Sequence, residues 1–262
     1  MISIYDKDGI EIDLSDYGLS CYSFTPESLT GQFDSDSIGN WDGDIILGTS
    51  INTRKLFAKF YFEANEYYDY LQTRDKVYSL LNPNDGLYVI DNRQPYKRWP
   101  VRNSTVFKPE RINSNVGMFD VEFIVFGTYA ESAESTLNIE VVNLSGNKVQ
   151  EYIHTTDTFE ILNDGYKTID PRRYPLLIKF TGESTNLQIK NLTTGDVWTY
   201  TGTTTLSDTI RLDGIRATKN SLSIFRETNR KLISLAPGWN EFEVTGAVDP
   251  FEISFDFRFY MI

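Results

Sequence analysis

The side chains with most capacity for chemistry in this chain of 262 residues are carboxylates. The stretch "FDSDSIGNWDGD" holds Asp34, Asp36, Asp42 and Asp44 close together, the density that a calcium loop requires. An EF-hand loop beginning at Asp34 needs glycine at its sixth place, where Gly39 stands, and a bidentate carboxylate at its twelfth, where Ile45 stands. Flanking helical patterns are also missing, so the stretch reads as a polar loop of Asp/Gly turns. His154 is the one histidine and Cys21 the one thiol, and the usual zinc sets cannot be assembled from them within one chain. A Ser-His-Asp triad would have to run through His154, and no G-x-S-x-G elbow accompanies it. In "QEYIHTTD" this imidazole reads as a packing or surface residue. With 37 Asp and Glu in the chain, no pair is singled out for glycoside hydrolysis, and there is no G-x-G-x-x-G phosphate loop. No catalytic, cofactor-binding or metal-binding residue is assigned, no cofactor is expected, and the chain does not read as an enzyme. Trp41, Trp99, Trp198 and Trp239 could stack on sugar rings, but aromatics in β-rich chains mostly fill cores and subunit contacts.

The elements that would position any such residue are strands. "MISIYDKDGIEIDL" reads as two short strands around the turn Asp6–Gly9. In "DIILGTSINTRKLFAKFYFEA", Leu56, Ala58, Phe60 and Phe62 fall on one face and Lys55, Lys59 and Tyr61 on the other, the period of a half-buried strand. "NEYYDYLQTRDKVYSLL" is the clearest helix, at about residues 65–81. Asn65 is placed to cap it, Glu66 lies in its first turn, and Tyr67, Tyr70, Leu71, Val77, Tyr78 and Leu81 recur at three- and four-residue spacing. "NPNDG" then stops it. "LYVIDNRQPYKRWPV" and "FDVEFIVFGTY" are further strands. In the second of these both alternating sets, Val121/Phe123/Val125 and Glu122/Ile124/Phe126, are largely apolar, which predicts a strand buried on two sides.

A small, polar and acidic stretch, "GTYAESAESTLN", marks a domain boundary, giving domains of residues 1–132 and 133–262. The second half carries many short strand patterns with glycine turns: "LLIKFTG", "NLQIKNLTTGDVWTYTG" with Gly195 at a hairpin tip, "DTIRLDG", "SLSIFRE", "KLISLAPGWNEFEVTG" and "FEISFDFRFYMI". In the fifth of these, Pro237-Gly238 suits the centre of a type II turn between an apolar strand ending at Leu235 and a strand on which Phe242 and Val244 alternate with Glu241, Glu243 and Thr245. The fold class is therefore mainly β: an N-terminal β-sandwich-like domain with one helix, and a C-terminal β-sandwich.

Composition narrows the partners. Apolar residues make up 40% and aromatic residues 14%, enough for real cores, while the formal net charge is −12. Residues 1–130 alone carry 12 basic and 19 acidic side chains, a net of −7. Such a chain repels a phosphate backbone, and its densest basic stretch, Arg93 to Arg102, is broken by Pro95, Tyr96, Trp99 and Pro100. No apolar window approaches the roughly 18 residues of a membrane span. The N-terminus has acidic residues where a signal peptide is basic and apolar, so manufacture in a cytoplasm, without export by that route, is expected.

The order of these features resembles the distal tail proteins (Dit) of long-tailed bacteriophages, a siphophage tail-component family. The resemblance lies in one helix followed by a strand region with Asp91, Pro95 and Trp99, then "NLTTGDVWTY", then the I-x-L-D strand Ile210–Asp213, then the L-x-P-G-x-N turn Leu235–Asn240. It covers nearly the whole chain. It implies a structural virion protein at the distal tail tip or baseplate, assembled in the host bacterial cytoplasm. The N-terminal domains would form a homohexameric ring between the tail tube protein and the baseplate hub or tail-associated protein, with viral DNA only passing through the lumen. The C-terminal domain would be a galectin-like sandwich that anchors receptor-binding protein. It implies no membrane partner. The alternative is a carbohydrate-binding module or adhesin for host cell-surface sugars, which requires an exposed aromatic trio on one sheet.

Overall fold

Alternation of apolar and polar side chains builds the N-terminal unit strand by strand. The computed structural model describes residues 1–37, 39, 42–138 and 151–262. The chain divides into two units, Met1–Ala133 with Ile262, and Glu134–Met261. Strands β1 (Ile2–Tyr5) and β2 (Glu11–Ile12) form the expected hairpin, with Ile4 opposite Ile12. Asp6 Oδ1 closes its turn by accepting the backbone N–H of Asp8 and of Ile10, each at 2.9 Å. There follow β3 (Leu19–Pro26), β4 (Gly31–Ser37), β5 (Asp44–Ile51), β6 (Lys55–Glu63), helix α1 (Tyr70–Leu80), β7 (Leu87–Asp91), β8 (Lys97–Asn103), β9 (Glu110–Arg111), β10 (Val116–Val125) and β11 (Ala130–Ser132). The main sheet runs β2-β1-β7-β8-β10-β6-β3, with β9 also on β10 and β11 on β8. Its neighbours are antiparallel.

The inward face of β6 is the one expected: Leu56, Ala58, Phe60 and Phe62 are buried opposite Phe123, Val121, Phe119 and Gly117 of β10. Helix α1 closes this core with Tyr70, Val77 and Leu80, the Tyr70 ring lying 5.1 Å from that of Phe62. The helix starts later than the pattern predicted. Residues Tyr67–Asp69 form a 3-10 turn that follows Glu66, and Asn65 caps nothing, because the N–H of Asp69 bonds to the backbone carbonyl of Glu66 instead. Three of the periodic residues, Tyr67, Leu71 and Tyr78, face solvent. The expectation that β10 is buried on both sides also fails within one chain. Val121, Phe123 and Val125 are buried, but Glu122 and Ile124 are only half-buried and Phe126, beyond the strand end, is 47% exposed. The layer formed by α1 covers one face of the sheet only.

In the C-terminal unit, β12 (Ile153–His154), β13 (Thr158–Asn163), β14 (Leu176–Asn191), β15 (Val197–Thr199), β16 (Thr203–Thr204), β17 (Thr209–Asp213), β18 (Arg216–Lys219), β19 (Leu222–Ser223) and β20 (Gly238–Phe257) form a second sheet. Its frame is the pairing of β14 and β20 along their length, from Leu176 opposite Phe257 to Asn191 opposite Phe242. Each long strand changes its other neighbour along the way: β20 pairs with β13 at one end and β12 at the other, and β14 with β15, β16 and then β17. Phe180, Phe242, Phe255, Ile161 and Ile178 fill the core, with the Phe242 and Phe255 rings 4.8 Å apart.

The sequence breaks at Gly182 and Gly246 predict separate strands, and here the chain differs. Both glycines lie inside continuous strands, next to register shifts. A Cβ on Gly182 would sit 2.6 Å from the Cβ of Phe251, and one on Gly246 2.5 Å from the Thr185 carbonyl oxygen. They mark a close approach of two strands at a bulge and not a turn. The hairpin tip at Gly195 forms as expected, with Ile189 opposite Trp198. Gly238 takes φ +87° after Pro237, as a type II turn requires. The strand expected to end at Leu235 does not form; only a single bridge joins Leu235 to Ile169. The backbone of Ser234 is occupied by side chains: its carbonyl accepts from Asn191 Nδ2 at 2.8 Å and its N–H donates to Asp196 Oδ2 at 2.9 Å.

Candidate assembly surface

The acidic stretch, expected as a polar loop, turns out to be most of a β-ribbon. Asp34 and Asp36 lie on β4 and Asp44 opens β5, with Asp36 opposite Ile45 and Ser37 opposite Asp44. Among the described residues the two strands pair only with each other, so each has one edge of backbone donors and acceptors outside that pairing. All of β4 is exposed, and so is β5 apart from Gly48. The apolar residues Phe33, Ile46 and Leu47 stand 60, 59 and 66% exposed. Leu47 is the extra residue of a bulge, since Asp34 faces Gly48 and Ser35 faces Ile46. No Lys or Arg occurs from Gly31 to Thr53, so the ribbon is both apolar and acidic. A lone two-stranded ribbon is marginal in water, and exposed aliphatic residues in a row on it are an association surface.

A second exposed apolar surface lies on the outward face of the main sheet. Phe57 and Tyr61 of β6, Tyr22 of β3 and Phe126 are all at least 36% exposed. The Tyr22 and Tyr61 rings are 6.4 Å apart, and the Arg102 guanidinium lies 4.9 Å from the Phe126 ring. The charges between them are paired, Lys55 with Glu122 at 2.7 Å and Lys59 with Asp120 at 3.2 Å. An apolar centre with neutralised charge is the composition of a protein interface core. The signal in the sequence was the doubly apolar pattern around β10; the ribbon gave none.

The residues considered for catalysis are not brought together. His154 stacks on Phe159 at 4.3 Å and its Nε2 lies 3.0 Å from the Glu151 carbonyl oxygen, while burial holds its pKa below the ordinary imidazole value. Burial pushes the Cys21 thiol up, and its Sγ donates to the Ser23 carbonyl. Asp91 takes the Arg93 guanidinium at 2.6 Å, and that hydrogen bond holds the carboxyl below its ordinary range. Among the described residues no three His, Cys, Asp or Glu are grouped to hold a metal, and no helix is long and apolar enough to cross a membrane. Trp99 and Trp198 are each 2% exposed and Trp239 42%; Trp41 lies outside the described residues.

Residues 12–125 match the family described as phage tail protein RIFT-related domain. Among solved structures, the Dit protein of phage SPP1 aligns over 99% of this chain and 99% of its own, with a TM-score of 0.72 at 15% identity. A chain of the phage P2 baseplate in its activated conformation with calcium aligns over 98% and 97%, with a TM-score of 0.52 at 11% identity. The strontium form of the p2 baseplate gives 98% and 97%, 0.53 and 12%. No curated protein matches the chain. From the strand order, the single helix and these alignments together, residues 12–125 are similar to the phage tail protein RIFT-related domain, and the chain over nearly its whole length shares the fold of the SPP1 Dit protein.

Proposed function

We propose that this chain is a structural virion protein that closes into a homohexameric ring at the distal end of a phage tail. The ring joins the tail tube protein to the baseplate hub or tail-associated protein. The C-terminal unit, a galectin-like sandwich in this reading, faces outward to anchor receptor-binding components. The observation that carries the proposal is the exposed apolar ribbon β4–β5 in the unit that matches the tail-domain family. A ribbon with two edges outside its own pairing and exposed Phe33, Ile46 and Leu47 finds its stability against a neighbouring copy, and the aromatic outer face of the sheet offers a second patch of the same kind. The net −7 of residues 1–130 suits a channel wall that DNA passes without binding. The alternative, sugar binding on a tryptophan platform, has less support, because Trp99 and Trp198 lie in the cores.

The test is native mass by light scattering, with negative-stain images of the same peak. The expected result is a six-membered ring with a central channel, for a protomer of 30.1 kDa. A closed species of another stoichiometry, or a chain that stays monomeric at high concentration and also when mixed with tail tubes, overturns the ring.

A further inference from the structure

The ribbon β4–β5 joins the main sheet through a neck, residues 27–30 on one side and 52–54 on the other, that belongs to no strand. Pro26 is still opposite Leu56 below the neck, and pairing resumes above it with Gly31 opposite Ile51. Two backbone hydrogen bonds cross it: the Glu27 N–H donates to the Lys55 carbonyl and the Asn52 N–H to the Thr30 carbonyl, each at 2.9 Å. Among the described residues from Thr25 to Lys55, Arg54 is the only buried one, at 8% exposure.

Arg54 touches three elements at once. Its carbonyl accepts the N–H of Val125, the last residue of β10, at 2.8 Å. Its guanidinium lies 4.7 Å from the ring centre of Trp99 on β8, and its Nε–H donates to the Glu27 carbonyl across the neck. Nη1 is buried and has no hydrogen-bond partner among the described residues. The Glu27 carboxylate acts on the cation through space, while burial pushes the guanidinium pKa down. A buried charge in this state costs stability, which an apolar side chain of similar length would not. Stability is therefore not what the guanidinium supplies. What methionine and lysine lack is a planar fork that stacks on an indole while donating sideways to a fixed carbonyl.

We propose that Arg54 is a clamp that fixes the direction in which the ribbon β4–β5 leaves the sheet. Trp99 and Val125 key the residue to the core, and its Nε–H reaches the other side of the neck at Glu27, so both sides are held to one frame. Without it, a neck crossed by two backbone bonds and burying no other described residue is a hinge. A ribbon held in one direction loses less freedom when it docks, and so associates at lower concentration than a swinging one. The clamp is a property of the single chain; only its use in docking a second copy rests on the ring.

The experiment is single-molecule energy transfer in the full chain, so dilute that copies do not associate. Dyes are placed on Ser37→Cys at the far end of β4 and on Gln72→Cys of α1, both exposed positions. The wild type, whose Cys21 is buried, is the labelling control. The expected result is one narrow transfer efficiency, displaced and about twofold broader in Arg54→Met and in Arg54→Lys. The urea midpoint of Arg54→Met should be no lower than that of the wild type. A midpoint that falls makes Arg54 a stabilising residue of the core and overturns the proposal, and so does an efficiency unchanged in both variants. In light scattering, Arg54→Met should need about tenfold more protein to form the ring. Rings at the wild-type concentration, despite a released ribbon, overturn the docking role; no ring in either protein counts against the ring and not against the clamp.

Discussion

Asn240 ties the turn Ala236–Gly238 to the start of β20 and to the end of β14. Its Oδ1 accepts the Ala236 N–H at 2.8 Å and Asn191 Nδ2 at 3.1 Å, and its Nδ2 donates to the carbonyls of Ala236 and Gly238 at 2.8 and 3.0 Å. The residue is fully buried. Asn240→Ala leaves several of these partners unsatisfied in the interior, and should cost about 3 kcal/mol in urea unfolding; a loss below about 1 kcal/mol would show that water replaces the amide. His154 sets a pH dependence of the same sign as a paired acid, in a higher pH window and from a different cause. Its folded pKa lies below its unfolded one because of burial, so the unfolded chain takes up the proton first. Its neutral form costs nothing at neutral pH, and stability is lost as pH falls from about 6.5 through the folded value. Urea midpoints of the wild type should fall between pH 7.5 and 5.5 and flatten in His154→Phe. Asp91, its pKa depressed by Arg93, contributes stability above the unfolded carboxylate value, lost only in stronger acid.

At the scale of elements, the ribbon β4–β5 is separable from the fold. Its apolar residues are exposed, so changing Ile46→Asp and Leu47→Asp should leave the unfolding free energy of the monomer within about 0.5 kcal/mol of the wild type. The same change should abolish the ring seen by light scattering; a persistent ring would place the contact elsewhere. What the sequence disclosed follows from burial. β6 was legible because one of its faces is wholly inside, so Leu56 to Phe62 carry a clean two-residue period. The ribbon was not, because neither face is inside: Asp, Ser and Gly dominate β4, and "IILG" on β5 has no alternation to read. The outward face of β10 was legible as apolar but not as open, since sequence does not say which layer covers it. Gly182 and Gly246 misled because the same residue serves a turn and a tight strand approach, and only the position of Phe251 and of the Thr185 carbonyl distinguishes them.

At the scale of the molecule, each unit has its own apolar interior and its own tryptophan reporter, Trp99 in one and Trp198 in the other. Destabilisation should therefore be local. Asn240→Ala is expected to lower the midpoint reported by Trp198 and leave that reported by Trp99 unchanged, read in single-tryptophan variants; parallel shifts of both would mean that the units unfold together.

The strand β20 has a further consequence, for synthesis. It pairs with β12, β13 and β14, with His154 meeting Ile253 and Thr158 meeting Glu243, partners far apart in the chain. None of those ladders can zip until residues Gly238–Phe257 have left the ribosome, so the C-terminal unit waits on the exit tunnel while the N-terminal unit before it is free to fold. Ribosome-stalled chains ending at Leu235 should then give a protease-resistant N-terminal fragment and a C-terminal portion digested throughout.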